Sequence, residues 1–295
     1  MSKLSYFKNS LLHRFSSNHC PSCGSESAKV IDTKFLGLTN LLQCGECFLR
    51  YRFPADSTDF NYQFYQSNYV QPGLTTDLPS DEELTKLMQT NFANTEKDFS
   101  MYSNILESLA SYYKRKLRIL DYGANWGYSC YQFRQMNFVE AVYGYELSLP
   151  RRSYGQEKLC IQYIDEASEL KESIDILFSS HVIEHMSNPS VLKNYADTVL
   201  KDDGMVLLSC PNGSDSARFK NSSWSKLWGE LHPNFISDQY LCNLFAEYSG
   251  IVTSDTFIGS QDQFNFNFQR GMVSELPKSG NLFMIAGKSP LSSRE

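Results

Sequence analysis

The sequence lacks an excess of positive charge: 27 Lys and Arg stand against 33 Asp and Glu, giving a formal net charge of −6 and a pI near 5.5. That removes the electrostatic case for nucleic-acid binding, which rests on clustered cations. No apolar run approaches the roughly 20 residues that cross a bilayer. Met1 to Phe15 also lacks the uninterrupted apolar core of a signal peptide. Its spaced apolar positions (Leu4, Phe7, Leu11, Phe15) among Lys3, Lys8 and Arg14 predict a short amphipathic helix packed on the protein rather than a membrane foot. These absences predict a cytoplasmic location. A chain of 295 residues can bury one sizeable core and carry a small accessory domain.

Among what is present, Arg118 to Tyr128 says most. An apolar run (Leu117, Ile119, Leu120) ends in Asp121, and then Gly123, Asn125 and Gly127 recur at every second residue before a helix-like segment. Glycine permits positive φ and close backbone approach to a ligand, and a helix start offers free N–H groups. The spacing differs from the G-x-G-x-x-G turn that cradles a pyrophosphate. Asn125 tolerates the left-handed region, so the turn survives it. Trp126 either walls the ligand or packs beneath the helix.

The order of later segments is consistent with this turn. Val142 to Leu147 reads as a second strand carrying Glu146, 25 residues after Asp121, near the offset of about 20 at which an acid meets ribose hydroxyls. Cys160 to Ile164 is a third strand, followed by Asp165. Ile174 to Ser180 is a fourth, running into His181, Val182, Glu184, His185 and Pro189. Gly204 to Pro211 is a fifth. Ser237 to Gly250 has helical periodicity with a serine cap and a glycine stop, and Ile251 to Gly259 and Asn281 to Gly287 read as an antiparallel pair. Alternating strands and helices predict a mostly parallel sheet covered on both faces.

Asp121, Gly123, Asn125 and Gly127 resemble the E/D-x-G-x-G-x-G motif of class I S-adenosylmethionine-dependent methyltransferases, with asparagine in place of the middle glycine. Asp175, Val182, Glu184, His185 and Pro189 match the same family in order. The resemblance implies an α/β, Rossmann-like, seven-stranded sheet and S-adenosylmethionine as cofactor. It places Asp121, Gly123, Asn125 and Gly127 around the methionine part, Glu146 at the ribose and Asp165 near the adenine. Ser180 and His181 fall at the strand end that borders the crevice. Asp165 has the competing reading of an ordinary loop acid, and Glu184 with His185 reads as a loop-structuring pair.

Four of the eight cysteines form Cys20-x2-Cys23 and Cys44-x2-Cys47, 20 residues apart. Paired knuckles with this spacing predict a structural zinc ribbon, closed by four thiolates. Disulfides would need an oxidising compartment. Cys130, Cys160, Cys210 and Cys242 read as buried packing residues. Residues 1–71 are therefore expected to hold the N-terminal helix, the ribbon and an aromatic segment (Phe60 to Tyr69). Residues 80–290 hold the catalytic domain, with a helical lead-in over 80–113 that Ser80 caps, and Pro72 to Ser80 links the two. A ribbon followed by Arg50 to Pro54 and these aromatics is similar to the front of bacterial methyltransferases that modify sugars. There the segment folds over the active site; here it either does so or ties ribbon to domain.

Methyl transfer needs alignment and, for a hydroxyl acceptor, a base. His232, five residues before Ser237, is the leading candidate, either as base or as a cap of its own loop. Leu231 stands where related enzymes carry the preceding acid, and Glu230 is displaced by one. His181 is the second candidate, with Tyr65, Tyr69 and Trp228 as acceptor-wall residues and 213–229 as a substrate lid. The expected function is methyl transfer to a sugar-like small molecule. An RNA methyltransferase reading through Lys29, Lys34, Arg50 and Arg52, and a non-catalytic binding protein, are the alternatives.

Overall fold

In the computed structural model the described residues are 18–55, 77–219, 222–229, 232–256, 270–275 and 280–288, with Leu11, Asp59, Tyr62 and Phe268 singly. The N-terminal helix beyond Leu11, Phe60, Tyr65, Tyr69, most of the linker, Glu230, Leu231 and most of 261–272 lie outside them.

Eight strands form the main sheet: β4 (Leu117–Tyr122), β5 (Val139–Tyr145), β6 (Gln162–Tyr163), β7 (Ile174–Ser180), β8 (Leu200–Pro211), β10 (Ser249–Ser254), β11 (Met272–Ser274) and β12 (Asn281–Gly287). Their order is β11-β10-β12-β8-β7-β4-β5-β6. The pairs β4–β5, β4–β7, β5–β6 and β7–β8 are parallel, and β12 runs antiparallel to both β8 and β10. This is the α/β Rossmann-like architecture the motifs imply. The seven expected strands are joined by a short eighth, β11, parallel to β10 at the edge.

Neighbouring residues on the central strands feed opposite faces, as a pleat requires. Ile119 and Ile176 join Leu106, Leu109 and Phe133 on one side, whereas Leu120 and Leu177 join Tyr240, Leu241 and Met284 on the other. Helices α1 (Asp81–Gln89) and α2 (Ser103–Tyr113) make the lead-in, followed by α3 (Tyr128–Arg134), α4 (Leu149–Leu159), α5 (Val191–Val199) and α6 (Asp238–Leu244). Ser80 and Glu83 form a reciprocal capping box on α1. Ser237 caps α6 by accepting from the Tyr240 N–H at 3.2 Å.

Two expectations are corrected. Gly250 does not stop the helix, which ends at Leu244; it lies inside β10, where an added Cβ would come within 2.2 Å of the Ile285 carbonyl oxygen. Adjacent strand backbones, rather than a helix cap, require glycine there. Cys160 is exposed, because it is the left-handed residue closing α4. Cys130 and Cys210 are buried as expected, and Cys242 is partly so.

The four-cysteine segment folds as β1 (Ala28–Lys34), β2 (Thr39–Cys44) and β3 (Arg50–Phe53), antiparallel throughout, with β9 (Asn234–Phe235) paired onto β3 as a fourth strand. Leu42, Leu49 and Tyr51 share one hydrophobic cluster with Leu120 and Leu177 of the main sheet and with Ile183, Ile236 and Tyr240 of the segments packed on it. The small sheet is thus continuous in packing with the large one.

Asp175 sits at the amino end of β7, away from the crevice. Its side chain is fully buried, and Arg115, Lys201 and the Arg118 N–H all donate to it within 2.9 Å. Removing it takes this partner from Lys201 and leaves Arg115 its pair with Asp203. Asp175→Ala should cost about 3 kcal/mol, the low end for breaking a buried pair because Arg115 and Lys201 stay partly solvated. Denaturant unfolding checks this, and a loss below about 1 kcal/mol would contradict the assignment.

Candidate active site at the switch point of the sheet

Strand order reverses between β4 and β7, which opens a crevice at their carboxyl ends, the usual ligand position in open α/β sheets. The glycine turn follows β4 and the histidine segment follows β7. They touch: a Cβ on Gly123 would lie 2.3 Å from Val182 Cγ2. Gly123, Asn125 and Gly127 have φ of 86°, 53° and 84°, so each takes the left-handed conformation that the spacing predicts.

Asn125 is held from four sides. Its Oδ1 accepts from the Trp126 N–H at 2.8 Å and from Arg151 at 2.6 Å, its N–H donates to Glu146 at 2.9 Å, and its carbonyl accepts from Tyr163 at 2.8 Å. A glycine could supply the backbone but not the Oδ1 bonds. Trp126 packs beneath the turn, fully buried among Phe92, Tyr128 and Tyr154, so it is not a wall of the crevice.

Asp121 is buried and accepts from the Ser129 hydroxyl. Burial pushes its carboxyl up to about 7, against the opposing pull of Ser129 and Cys130. Glu146, at the end of β5, accepts the Ser148 and Asn125 N–H groups, one on each oxygen. Burial raises it above the usual carboxylate range despite those bonds. Each oxygen keeps a second lone pair for a ligand hydroxyl. Asp165 is exposed and paired with Arg152 at 2.7 Å. Ser180 closes β7 beside the Tyr102 hydroxyl.

Three histidines surround one buried carboxylate beyond β7. Glu184 is 1% exposed, with His181 Nδ1 at 3.4 Å and His185 Nε2 at 3.9 Å. The His185 and His232 rings lie 4.8 Å apart. Burial works to raise the Glu184 carboxyl, but His181, His185 and His232 together outweigh it and hold it at about 2. His181 takes a φ of 55° and its side chain is 49% exposed, so it stands in the crevice open to solvent. Burial acts to lower its pKa, and Glu184 more than offsets that and raises it. The sequence left His232 without an acid to orient it. The fold brings Glu184 from a segment 48 residues earlier, a partner no local motif could reveal.

The loop carrying His232 is pinned by the small sheet. The Arg52 N–H donates to the Pro233 carbonyl at 2.7 Å, and the Arg52 side chain donates to the Gly229 carbonyl at 2.9 Å. Lys34 donates to the Trp228 carbonyl and lies 4.2 Å over its ring, while Trp228 Nε1 donates to Asp32 at 2.9 Å. Trp228 is therefore a buried strut between ribbon and loop. Arg50 is buried against Gln43, Gly213 and Asp215.

The four thiols also converge. Cys20 and Cys47 sulfurs lie 3.5 Å apart, as do those of Cys23 and Cys44, and all four fall within 4.8 Å. Those separations are far longer than the roughly 2.05 Å of a disulfide. They are close to the edge of about 3.8 Å in a thiolate tetrahedron around zinc. The Glu46 N–H donates to Cys44 sulfur at 3.4 Å.

Residues 95–249, just over half of the chain, match a family described as a methyltransferase domain. No curated protein matches the chain. Solved structures resemble it at low identity. A magnesium protoporphyrin IX methyltransferase from Synechocystis, with S-adenosylmethionine bound, is 12% identical, with 78% of this chain and 97% of that one covered and a TM-score of 0.44. An S-adenosylmethionine-dependent methyltransferase from Thermotoga maritima is 14% identical over 70% and 95%, with a TM-score of 0.41. One from Mesorhizobium loti is 14% identical over 64% and 99%, also at 0.41.

Proposed function

The chain belongs to the methyltransferase-domain family, and from that premise we propose that it transfers the methyl group of S-adenosylmethionine to a small hydroxyl-bearing acceptor, a nucleotide-linked sugar or another surface-polysaccharide precursor. One observation carries the site: the glycine turn after β4 and the histidine segment after β7 meet across the switch point through Gly123 and Val182. The turn fits the cofactor, since it offers three positive-φ residues beside a buried Asp121 and a partly buried Glu146, and its spacing differs from the G-x-G-x-x-G of a pyrophosphate turn.

Asp121, Gly123, Asn125 and Gly127 would hold the methionine part, and Glu146 the ribose. When bound, S-adenosylmethionine supplies a methyl group on a sulfonium, an excellent leaving group. The protein's task is then to orient the acceptor, exclude water and take a proton. His181, in the crevice, and His232, beside Glu184, are the groups suited to the proton. The four cysteines fit a structural zinc, whose closed shell leaves no position for chemistry.

The sugar-like acceptor rests on the similarity of the ribbon and aromatic segment to sugar-modifying enzymes. The charge distribution is consistent with it. Of the four cations an RNA reading would need, Arg50 and Arg52 are buried and Lys34 is engaged with Trp228, which leaves Lys29 exposed.

Calorimetry with S-adenosylhomocysteine tests the cofactor assignment. In the folded protein the raised Asp121 pKa contributes stability that is present at low pH and lost as pH rises through about 7. Above that value a buried charge appears, and the ligand's ammonium relieves it. Affinity should therefore rise between about pH 6 and about pH 8, and Asp121→Asn should flatten the profile. No binding by folded protein would sink the assignment. A labelled-methyl screen over nucleotide sugars, glycolipids and RNA, with metal content measured in the same sample, identifies the acceptor. Turnover with any of them excludes a purely binding role.

A further inference from the structure

Glu184 is a buried side chain with an unusual deficit. Neither carboxylate oxygen has a well-aligned hydrogen-bond partner among the described residues, the long 3.4 Å approach of His181 Nδ1 apart, although only 1% of the side chain is exposed. Buried carboxylates ordinarily gather N–H or O–H donors, because leaving them bare is costly. Around Glu184 the fold gathers ring nitrogens instead. Glu184, His185 and His232 each offer a ligand atom, and all three atoms lie within 4.8 Å of one another.

His232 is also oriented as a metal-binding imidazole is. Its Nδ1 lies 2.7 Å from the Leu227 carbonyl oxygen. A carbonyl can only accept, so Nδ1 carries the proton and Nε2 keeps its lone pair in the neutral ring. Metal-ligating histidines are commonly fixed through their second nitrogen in this way.

We propose that Glu184, His185 and His232 bind a divalent transition-metal cation, at a site separate from the four cysteines. Two imidazoles and one carboxylate suit Zn²⁺, Mn²⁺ or Fe²⁺, whereas Mg²⁺ and Ca²⁺ favour all-oxygen shells. Three protein ligands leave at least one position open, in contrast to the closed thiolate set. The site belongs to the same short segment as Val182, which packs on the glycine turn. Its chemical consequence rests on the methyl-transfer reading: an acceptor hydroxyl held there releases its proton to water more readily and becomes the stronger nucleophile. The site would also unite Glu184 and His185, read from sequence as loop-structuring, with His232, whose Nε2 would then hold the ion instead of taking a proton and leave His181 as the histidine free for that role.

The test uses the full chain and the metal alone. Elemental analysis after saturation with Zn²⁺ should find one ion more per chain in the wild type than in Glu184→Gln or His232→Gln, with the cysteine-bound ion retained in all three. Mn²⁺ prefers oxygen and imidazole to thiolate, so loss of its free-ion paramagnetic resonance signal reads the new site selectively. Affinity should fall at least tenfold in either variant. Equal stoichiometry and equal Mn²⁺ affinity across the three proteins would overturn the proposal. Circular dichroism confirms folding, and His232, on a loop outside the hydrophobic core, keeps the test readable if Glu184→Gln misfolds. Failure of S-adenosylhomocysteine to bind, with the extra ion present, would remove the methyl-transfer reading and leave the metal site standing.

Discussion

Cys23→Ser should abolish metal binding by the four thiols proposed to hold zinc, keep S-adenosylhomocysteine binding within about threefold, and lose methyl transfer by the roughly 10²–10⁴-fold that a positioned proton-transfer group contributes. Cys23 is the exposed member of the four, so its replacement perturbs the core least. The glycine turn follows β4, which pairs with β5, and its Asn125 N–H is bonded to Glu146 just after β5. The His232 loop, by contrast, depends on the ribbon strands. Arg50 pairs with Phe235 and Tyr51 with Asn234 across β3 and β9, and Arg52 and Lys34 hold Pro233, Gly229 and Trp228. A ribbon that loses its metal loses the fold that orders those contacts. Amide exchange supplies a readout that needs no acceptor: the Asn234 and Phe235 amides should exchange faster in the variant, and those of β4 should not. Unchanged exchange in zinc-free protein would separate the ribbon from the loop and refute the coupling.

Asn125→Val should be the most damaging single change in the cofactor turn. Asn125 has a φ of 53°, where a β-branched residue costs about 1–2 kcal/mol or more. The change also removes the Oδ1 acceptor from Arg151, which is 1% exposed. A hydrogen bond to a charged group contributes about 1.5–3 kcal/mol and the neutral one from the Trp126 N–H about 0.5–1.5 kcal/mol, so the total reaches about 3–6.5 kcal/mol, with at least a tenfold loss of S-adenosylhomocysteine affinity. Asn125→Gly separates the two causes. It restores the backbone conformation and leaves only the two lost Oδ1 bonds, from Arg151 and from the Trp126 N–H, so it should cost about 2–4.5 kcal/mol. Equal damage from valine and glycine would show that asparagine is retained for its side chain alone.

Much of the catalytic fold is legible in the residues. The strands at Leu117, Ile174 and Gly204 are apolar runs long enough to be buried on both faces, and such runs need no distant information to be recognised. Asp121, Gly123, Asn125 and Gly127 are equally local, because positive φ is a property of residue type and position. Ser80 and Ser237 are readable as caps for the same reason. Boundaries are less so. Gly250 looks like a helix stop until the partner strand β12 is present, and β11 is too short to signal itself. Cys160 reads as apolar packing in sequence, yet a helix terminus places it in solvent.

The sequence by itself determined the local devices of this protein: a strand-to-helix turn of alternating left-handed residues, an acid after the next strand, and four thiols at the spacing of a metal knuckle. These are local patterns, because glycine, asparagine and paired cysteines act within a few residues. Tertiary structure alone decided what the histidines face. Glu184 meets His232 only when β7, the loop before α6 and the ribbon's β3–β9 pairing have all formed. Spacing along the chain carries no record of such a meeting, since it is set by the packing of elements far apart in sequence.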